Sequence, residues 1–144
     1  MPNQKLKVYC DGGHNSGRCS CATVIYLNKK LLMSDAEAFM GTNNIAEYRG
    51  LLLGLNTVKN KIRTPDRCDL ELFLDSKLIV EQVNGNWHCK EDHLRVLRDK
   101  ALELIRELRG FYKNVSVSWI PREQNSNADS LCQAQLLIRT AYPK

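Results

Sequence analysis

Two stretches of this sequence alternate apolar and polar side chains and then stop on an aspartate: LKVYCDGG at residues 6–13 and DLELFLD at residues 69–75. In the first, Leu6, Val8 and Cys10 fall on one side of a period-2 strand, with Lys7, Tyr9 and Asp11 on the other, and Gly12 with Gly13 frees the backbone to turn. In the second, Leu70, Leu72 and Leu74 share one face, and Glu71, Phe73 and Asp75 the other. Each strand delivers an acid to a sheet end. Taken alone, an Asp before Gly does no more than begin a turn. What the two acids do together depends on the chain between and after them.

After a loop at residues 14–18, residues 21–27 and 31–36 read as two strands joined by a short turn at Asn28, Lys29 and Lys30, so the first three strands form an antiparallel meander. At Thr42 the period changes. TNNIAEYRGLLLGLNTVKN sets Ile45, Tyr48, Leu52 and Leu55 at three- and four-residue steps, widened by Leu51 and Val58, which predicts an amphipathic helix of about four turns. Asn44 suits its N-cap, and Glu47, three residues on, has an alternative reading as the partner in a capping box.

Pro65 breaks the chain before the strand that ends at Asp75, and SKLIVEQVNG is a short helix closed by Gly85. A longer helix follows residues 86–91, with Leu94, Leu97, Ala101, Ile105 and Leu108 as its stripe. Its charged face reads as solvated and laced by i,i+4 pairs, a nucleic-acid groove being the lesser reading. Val115, Val117 and Trp119 make a last strand ended by Pro121, and residues 128–138 a closing helix. Asp129 sits in its first turn, where the macrodipole alone would favour an acid. There is no internal repeat, low-complexity tract or linker, so a single domain over residues 1–144 is expected.

Topology turns four ambiguous acids into one candidate site. If the first strand runs up, the meander brings the third up as well, and the helix leaves from the upper edge. A right-handed crossover then returns the fourth strand parallel to the first. Asp11 and Asp75 end parallel strands, Glu47 opens the helix that leaves the same edge, and Asp129 follows the last strand. All four are expected on one rim, at the carboxyl end of the parallel strands.

Four crowded carboxylates raise one another's pKa unless cations neutralise them. With oxygen ligands only and no His or Cys among the four, Mg²⁺ or Mn²⁺ is favoured over zinc. Two such ions about 4 Å apart would suit in-line displacement at a phosphodiester. Cys19 and Cys21 form a C-x-C pair, but no second pair follows at zinc-site spacing. The six cysteines read as reduced thiols, with Cys10, Cys21 and Cys132 as small core residues. A surplus of 21 Lys+Arg over 16 Asp+Glu mildly favours a polyanionic partner. No apolar window approaches the roughly 18 residues that span a bilayer, and MPNQKLKVY lacks the apolar segment of a signal peptide, so a cytoplasmic protein without a membrane partner is expected.

These residues together resemble the type 1 ribonuclease H family: a strand running into Asp11-Gly12, then Thr42-Asn43-Asn44-Ile45-Ala46-Glu47, Leu74-Asp75-Ser76 and Asn125-Ser126-Asn127-Ala128-Asp129, in this order and nearly end to end. The resemblance implies the ribonuclease H-like α/β fold, a five-stranded mixed sheet in the order 3-2-1-4-5 flanked by helices. It also implies hydrolysis of the RNA strand of an RNA–DNA hybrid to 5′-phosphate and 3′-hydroxyl ends by a monomer holding two Mg²⁺ ions, with Mn²⁺ an alternative. By position, Asp11 would bridge both ions, Glu47 and Asp75 would complete the nucleophile-side ion, and Asp129 the other. Asn43 and Asn44 would read the minor groove and the 2′-hydroxyls, Thr42 would touch a DNA phosphate, and Asn15 and Ser76 are further candidate contacts. Asn125 would position the loop before Asp129.

The sequence departs from the family at several points. WIPREQNSNAD is short and lacks the histidine that the family often places before the last aspartate, and Glu123 is the nearest substitute. Met40 stands where some members carry an arginine of a DNA-phosphate pocket, which leaves cleavage of duplex RNA open. Residues 86–91 are too short for the basic protrusion of some bacterial members, with Trp87 and Lys90 as remnants. A non-catalytic binding module of the same fold is the rival reading, favoured by loss of an acid, and all four are present. A proofreading exonuclease would want an acid two residues after Asp11, where Gly13 stands.

Overall fold

The computed structural model describes residues 4–64 and 68–141, with side chains described as far as residue 137. Pro65 lies outside the described residues. Three antiparallel strands, β1 (Gln4–Asn15), β2 (Arg18–Leu27) and β3 (Lys30–Met40), lead into helix α1 (Asn43–Lys61). Strand β4 (Cys68–Leu74), helices α2 (Lys77–Val83) and α3 (Asp92–Leu108), strand β5 (Val115–Trp119), a 3₁₀ turn at Arg122–Asn125 and helix α4 (Ser126–Ala141) complete the chain. The sheet order is β3-β2-β1-β4-β5, antiparallel from β3 to β1 and parallel from β1 to β5. This is the expected five-stranded mixed sheet.

The core follows the alternation read from the sequence. Leu6, Val8 and Cys10 of β1 and Leu70, Leu72 and Leu74 of β4 are buried under α1 and its neighbours. Truncating one such leucine to alanine costs about 2–5 kcal/mol. α3 buries Leu94, Ala101, Ile105 and Leu108, with Leu97 half-buried, and its charged face is solvated. The ion pairs there are not the expected i,i+4 set. Arg95 pairs with Asp92, Arg98 with Asp99, and Lys59 of α1 reaches Glu107 at 2.7 Å.

The two glycines after Asp11 do not turn the chain. β1 runs on to Asn15 and the hairpin turns at Ser16–Gly17, where φ is 52° and 82°. The expected loop at residues 14–18 is therefore mostly strand. Glycine serves a different purpose at these positions: a Cβ on Gly12 would sit 2.3 Å from the carbonyl carbon of Ala46, and one on Gly50 would sit 2.4 Å from the carbonyl oxygen of Asp11. Backbone meets backbone there, so α1 lies directly against β1 beside the acid. The helix is buried on more than one side, between the sheet and α3, with Ala46, Tyr48, Leu51, Leu53, Leu55 and Val58 all buried.

α1 also begins one residue earlier than the Asn44 cap implies. Thr42 is the N-cap, its hydroxyl accepting from the N–H of Ile45 at 3.5 Å. Glu47 is thus the fifth helical residue, out of reach of a capping box. β3 runs past Ala36 to Met40, and α4 starts at Ser126, two residues before the expected Ala128.

Candidate active site

Parallel pairing of β1 with β4 sets Asp11 and Asp75 side by side, since the register that matches Tyr9 to Phe73 points both aspartates the same way two residues on. Asp75 stands one residue past β4, before Ser76, which caps α2 by accepting from the N–H of Ile79 at 3.4 Å. Glu47 enters from the first turns of α1, and Asp129 from the first turn of α4.

The acids feel one another. Burial pushes the Asp11 carboxyl up to about 8, with Asp75, Glu47 and Asp129 adding to the rise and the Gly12 N–H opposing it. Burial lifts Glu47 to about 7, again with Asp75 adding, against a hydrogen bond from Ser76 and the charge of Arg122. Asp75 is raised by burial, against the Asn125 amide and Arg122. Only Asp11 is fully buried, 6% exposed.

Asn125 is the clamp of this arrangement. Its Nδ2 donates to the carbonyl of Cys10 at 2.9 Å and to Asp75 Oδ2 at 3.2 Å, joining β1 to the end of β4. The residue is 1% exposed, and these two bonds fix the Asp75 carboxylate against β1. Trp119, half exposed at the end of β5, donates its indole N–H to the carbonyl of Asp75 at 3.2 Å.

Thr42, Asn43 and Asn44 lie together at the N-terminus of α1, about a turn before Glu47. Asn15 stands apart at the hairpin tip, four residues beyond Asp11, where its Oδ1 accepts from the Ser16 hydroxyl at 3.2 Å. Met40 is exposed at the end of β3 and Glu123 is exposed in the 3₁₀ turn. Trp87 and Lys90 are exposed on either side of the buried Cys89, and the carbonyl of His88 accepts from Gln82 Nε2 at 3.2 Å.

Arg122 was not foreseen. It stands 3.7 Å from Asp129 Oδ1, and its charge lowers the proton affinity of both Glu47 and Asp75. It is the one basic residue between Trp119 and Asp129, a signal available in the sequence.

The donor set consists of carboxylate oxygens, which suits a hard divalent cation, and the burial and, after it, the mutual repulsion that raise Asp11 and Glu47 are what such a cation would offset. Among the described residues, no three His, Cys, Asp or Glu side chains are already drawn in around a single point. The acids are electrostatic neighbours whose oxygens would close further on an ion. Zinc has no comparable place: all six cysteines are buried and unpaired, and burial pushes the Cys10 and Cys21 thiols up to about 12.

The chain has relatives among known proteins. The family model described as reverse transcriptase-like matches residues 9–135. A bifunctional protein of Mycobacterium tuberculosis is 32% identical over 132 residues, covering 88% of this chain and 34% of that protein, so the chain spans about a third of its length. Ribonuclease HI of Halobacterium salinarum is 30% identical over 136 residues, covering 92% of this chain and 64% of that one. Among solved structures, the N-terminal ribonuclease H domain of the M. tuberculosis protein Rv2228c superposes with a TM-score of 0.82 at 29% identity, over 95% of this chain and 96% of that one. A ribonuclease H1 known as LC11, solved with an RNA/DNA hybrid, superposes with a TM-score of 0.76 at 27% identity, over 90% and 94% of the two chains.

Proposed function

The chain belongs to the ribonuclease H-like family that the reverse transcriptase-like model describes, and on that premise we propose that it is an endonuclease hydrolysing the RNA strand of an RNA–DNA hybrid to 5′-phosphate and 3′-hydroxyl ends. The observation that carries the reading is the buried Asp11, whose proton affinity Asp75, Glu47 and Asp129 raise together. Asp11, Glu47, Asp75 and Asp129 would hold two Mg²⁺ ions, or Mn²⁺. Bound there, the cations would supply an activated water and charge relief on the departing oxygen.

The chain's own residues hold the acids ready. The Asn125 amide fixes one oxygen of Asp75, leaving the other to turn outward, and the Ser76 hydroxyl bonds to Glu47. Arg122 keeps Glu47 and Asp75 more readily ionised than burial alone would allow. Thr42, Asn43 and Asn44, at the start of the helix that presents Glu47, would meet a strand lying over the rim. Amide side chains suit the minor groove, where they pair with base edges and with the 2′-hydroxyls that tell RNA from DNA. Met40, exposed beside this helix start, brings no positive charge to a DNA phosphate, which favours duplex RNA as a second substrate. A monomer in the cytoplasm is part of the same proposal; the six unpaired thiols accord with a reducing compartment, and no helix among the described residues is long and apolar enough to cross a membrane.

The test is cleavage of end-labelled hybrid, duplex RNA and duplex DNA with Mg²⁺ or with chelator. Cuts confined to RNA strands, dependent on the cation and ending in 5′-phosphate, are expected. Cutting of duplex DNA, or cutting that survives the chelator, would refute the proposal.

A further inference from the structure

Beneath the acids, on the same side of β1, Lys7 and Tyr9 precede Asp11 by four and two residues, about 14 and 7 Å along a strand rising ~3.4 Å per residue. They open into a cleft of about 340 Å³ walled by Tyr26, the Asn28–Lys29 turn and residues 124–128. Among the described residues no aspartate or glutamate lines it, the nearest acid charge felt there being that of Glu71 on Tyr9. Glu71, the register neighbour of Lys7 on β4, pairs with Lys5 instead, at 3.9 Å, and neither Lys7 nor Lys29 joins an ion pair among the described residues.

The cleft is held in shape. Asn28 adopts a φ of 56°, its side-chain oxygen accepts from the N–H of Lys5 at 3.0 Å, and its own N–H donates to the Lys5 carbonyl at 2.8 Å, so the turn carrying Lys29 is pinned to β1. Tyr9 stacks on Phe73 at 5.1 Å and meets Tyr26 edge-on at 5.7 Å, which fixes both phenols. Asn127 Nδ2 donates to the Tyr26 oxygen at 2.7 Å, leaving the Tyr26 proton to be given elsewhere. The lining thus combines two lysines, two tyrosines and the amide residues Asn28, Gln124, Asn125 and Asn127.

We infer that this cleft binds the terminal 5′-phosphate of a nucleic-acid strand. Two neighbouring cations match a terminal phosphate, which carries a charge of roughly −1.5 to −2 at neutral pH, better than the single charge of an internal phosphodiester. At about 340 Å³ the cleft is within the size range of sites that take a small ligand such as a single nucleotide end. The inference deepens the proposed function, whose reaction creates such an end at the acids next to the cleft. Asn125 lines the cleft and also bonds to Asp75.

Amide NMR of the full chain in EDTA tests it, with three probes: a 5′-phosphorylated ribodinucleotide, the same dinucleotide without phosphate, and inorganic phosphate. The phosphorylated dinucleotide is expected to shift the amides of Lys7, Tyr26, Lys29 and Asn127 saturably, and the unphosphorylated one to leave them in place. Lys7→Gln and Lys29→Gln should each weaken binding at least about fivefold, as loss of a charge-assisted contact requires, while single-turnover cleavage of hybrid is unchanged. Absence of saturable shifts, equal shifts from the unphosphorylated probe, or shifts that persist in the double variant would overturn the inference. So would inorganic phosphate binding as tightly as the dinucleotide, which would show an anion site indifferent to a strand. Binding as expected in a protein that never cuts hybrid would sink the proposed function and leave the cleft standing.

Discussion

The side-chain amide of Asn125 donates to a carboxylate oxygen of Asp75 at 3.2 Å, and the same nitrogen reaches the Cys10 carbonyl at 2.9 Å. One residue just before α4 thus holds β1 to the end of β4, two parallel strands that the sequence separates widely.

Asn125→Ala should therefore injure both stability and activity. It strands a buried carbonyl and removes a donor from Asp75, a loss of about 1–3 kcal/mol. Thermal unfolding should show the drop. The Asn125 amide lowers the proton affinity of Asp75, so the acidic limb of the pH–rate profile should move to higher pH in the variant. An unmoved limb with lowered stability would reduce Asn125 to a packing residue.

Asp11→Asn should stabilise the metal-free protein at alkaline pH while abolishing cleavage. The Asp11 carboxyl is lifted from 3.8 to about 8, so the folded state holds a proton that the unfolded chain has released. The wild type then loses stability as pH rises from about 4 to about 8, and Glu47, lifted from 4.5 to about 7, acts in the same direction. The variant is spared the Asp11 share, on the order of a few kcal/mol from a shift of this size. In EDTA, denaturant midpoints of the two proteins should coincide near pH 4 and diverge in the variant's favour by pH 9. Added Mg²⁺ should close the gap from the wild-type side.

Gly12→Ala and Gly50→Ala should each be far worse than an ordinary glycine substitution within regular structure. The new methyl meets main-chain atoms at 2.3 Å in one case and 2.4 Å in the other, so α1 must lift away from β1. Overpacking of this kind costs about 1–3 kcal/mol, occasionally more, and the shift would carry Glu47 away from Asp11. Gly85→Ala is the control, with nothing within 4 Å and a φ of 83°, so it pays only for its backbone conformation. Urea midpoints and hybrid cleavage should both rank Gly85→Ala as the mildest of the three.

Arg122→Ala should raise the pH at which Glu47 and Asp75 ionise, because the guanidinium lowers both. The side chain is mostly exposed, so the effect on rate at neutral pH should be modest, about two- to fivefold. It should widen toward acid pH, and Arg122→Lys should restore much of it. A loss independent of pH would point to a contact with substrate instead.

Much of this was legible in residue types and spacing. The alternation around Leu6–Cys10 and Leu70–Leu74 marks the central strands, and the change of period at Thr42 sets the connection that makes β1 and β4 parallel. Chain direction alone then brings Asp11 and Asp75 to one edge. Less legible were features that depend on a partner far along the chain. Gly12 reads as a turn until Ala46 is seen lying against it, and Gly50 breaks no rule of an amphipathic stripe although it lets the helix approach. The cap lies at Thr42 and not Asn44 although asparagine is the better capping residue, because the end of β3 at Met40 decides where the helix begins. The clamp by Asn125 depends on tertiary distances that no local pattern carries, and Arg122 stands out in the sequence only as the one basic residue between Trp119 and Asp129, its approach to that acid being set by the fold.

An anomalous difference map from crystals soaked in Mn²⁺ bears most directly on the claim that the four acids form one cation site. The account predicts density with Asp11 as a ligand at about 2.0–2.2 Å, as hard divalent ions require, joined by oxygens of Glu47, Asp75 or Asp129, and lost in Asp11→Asn. Peaks that avoid Asp11, or that persist unchanged in the variant, would contradict it.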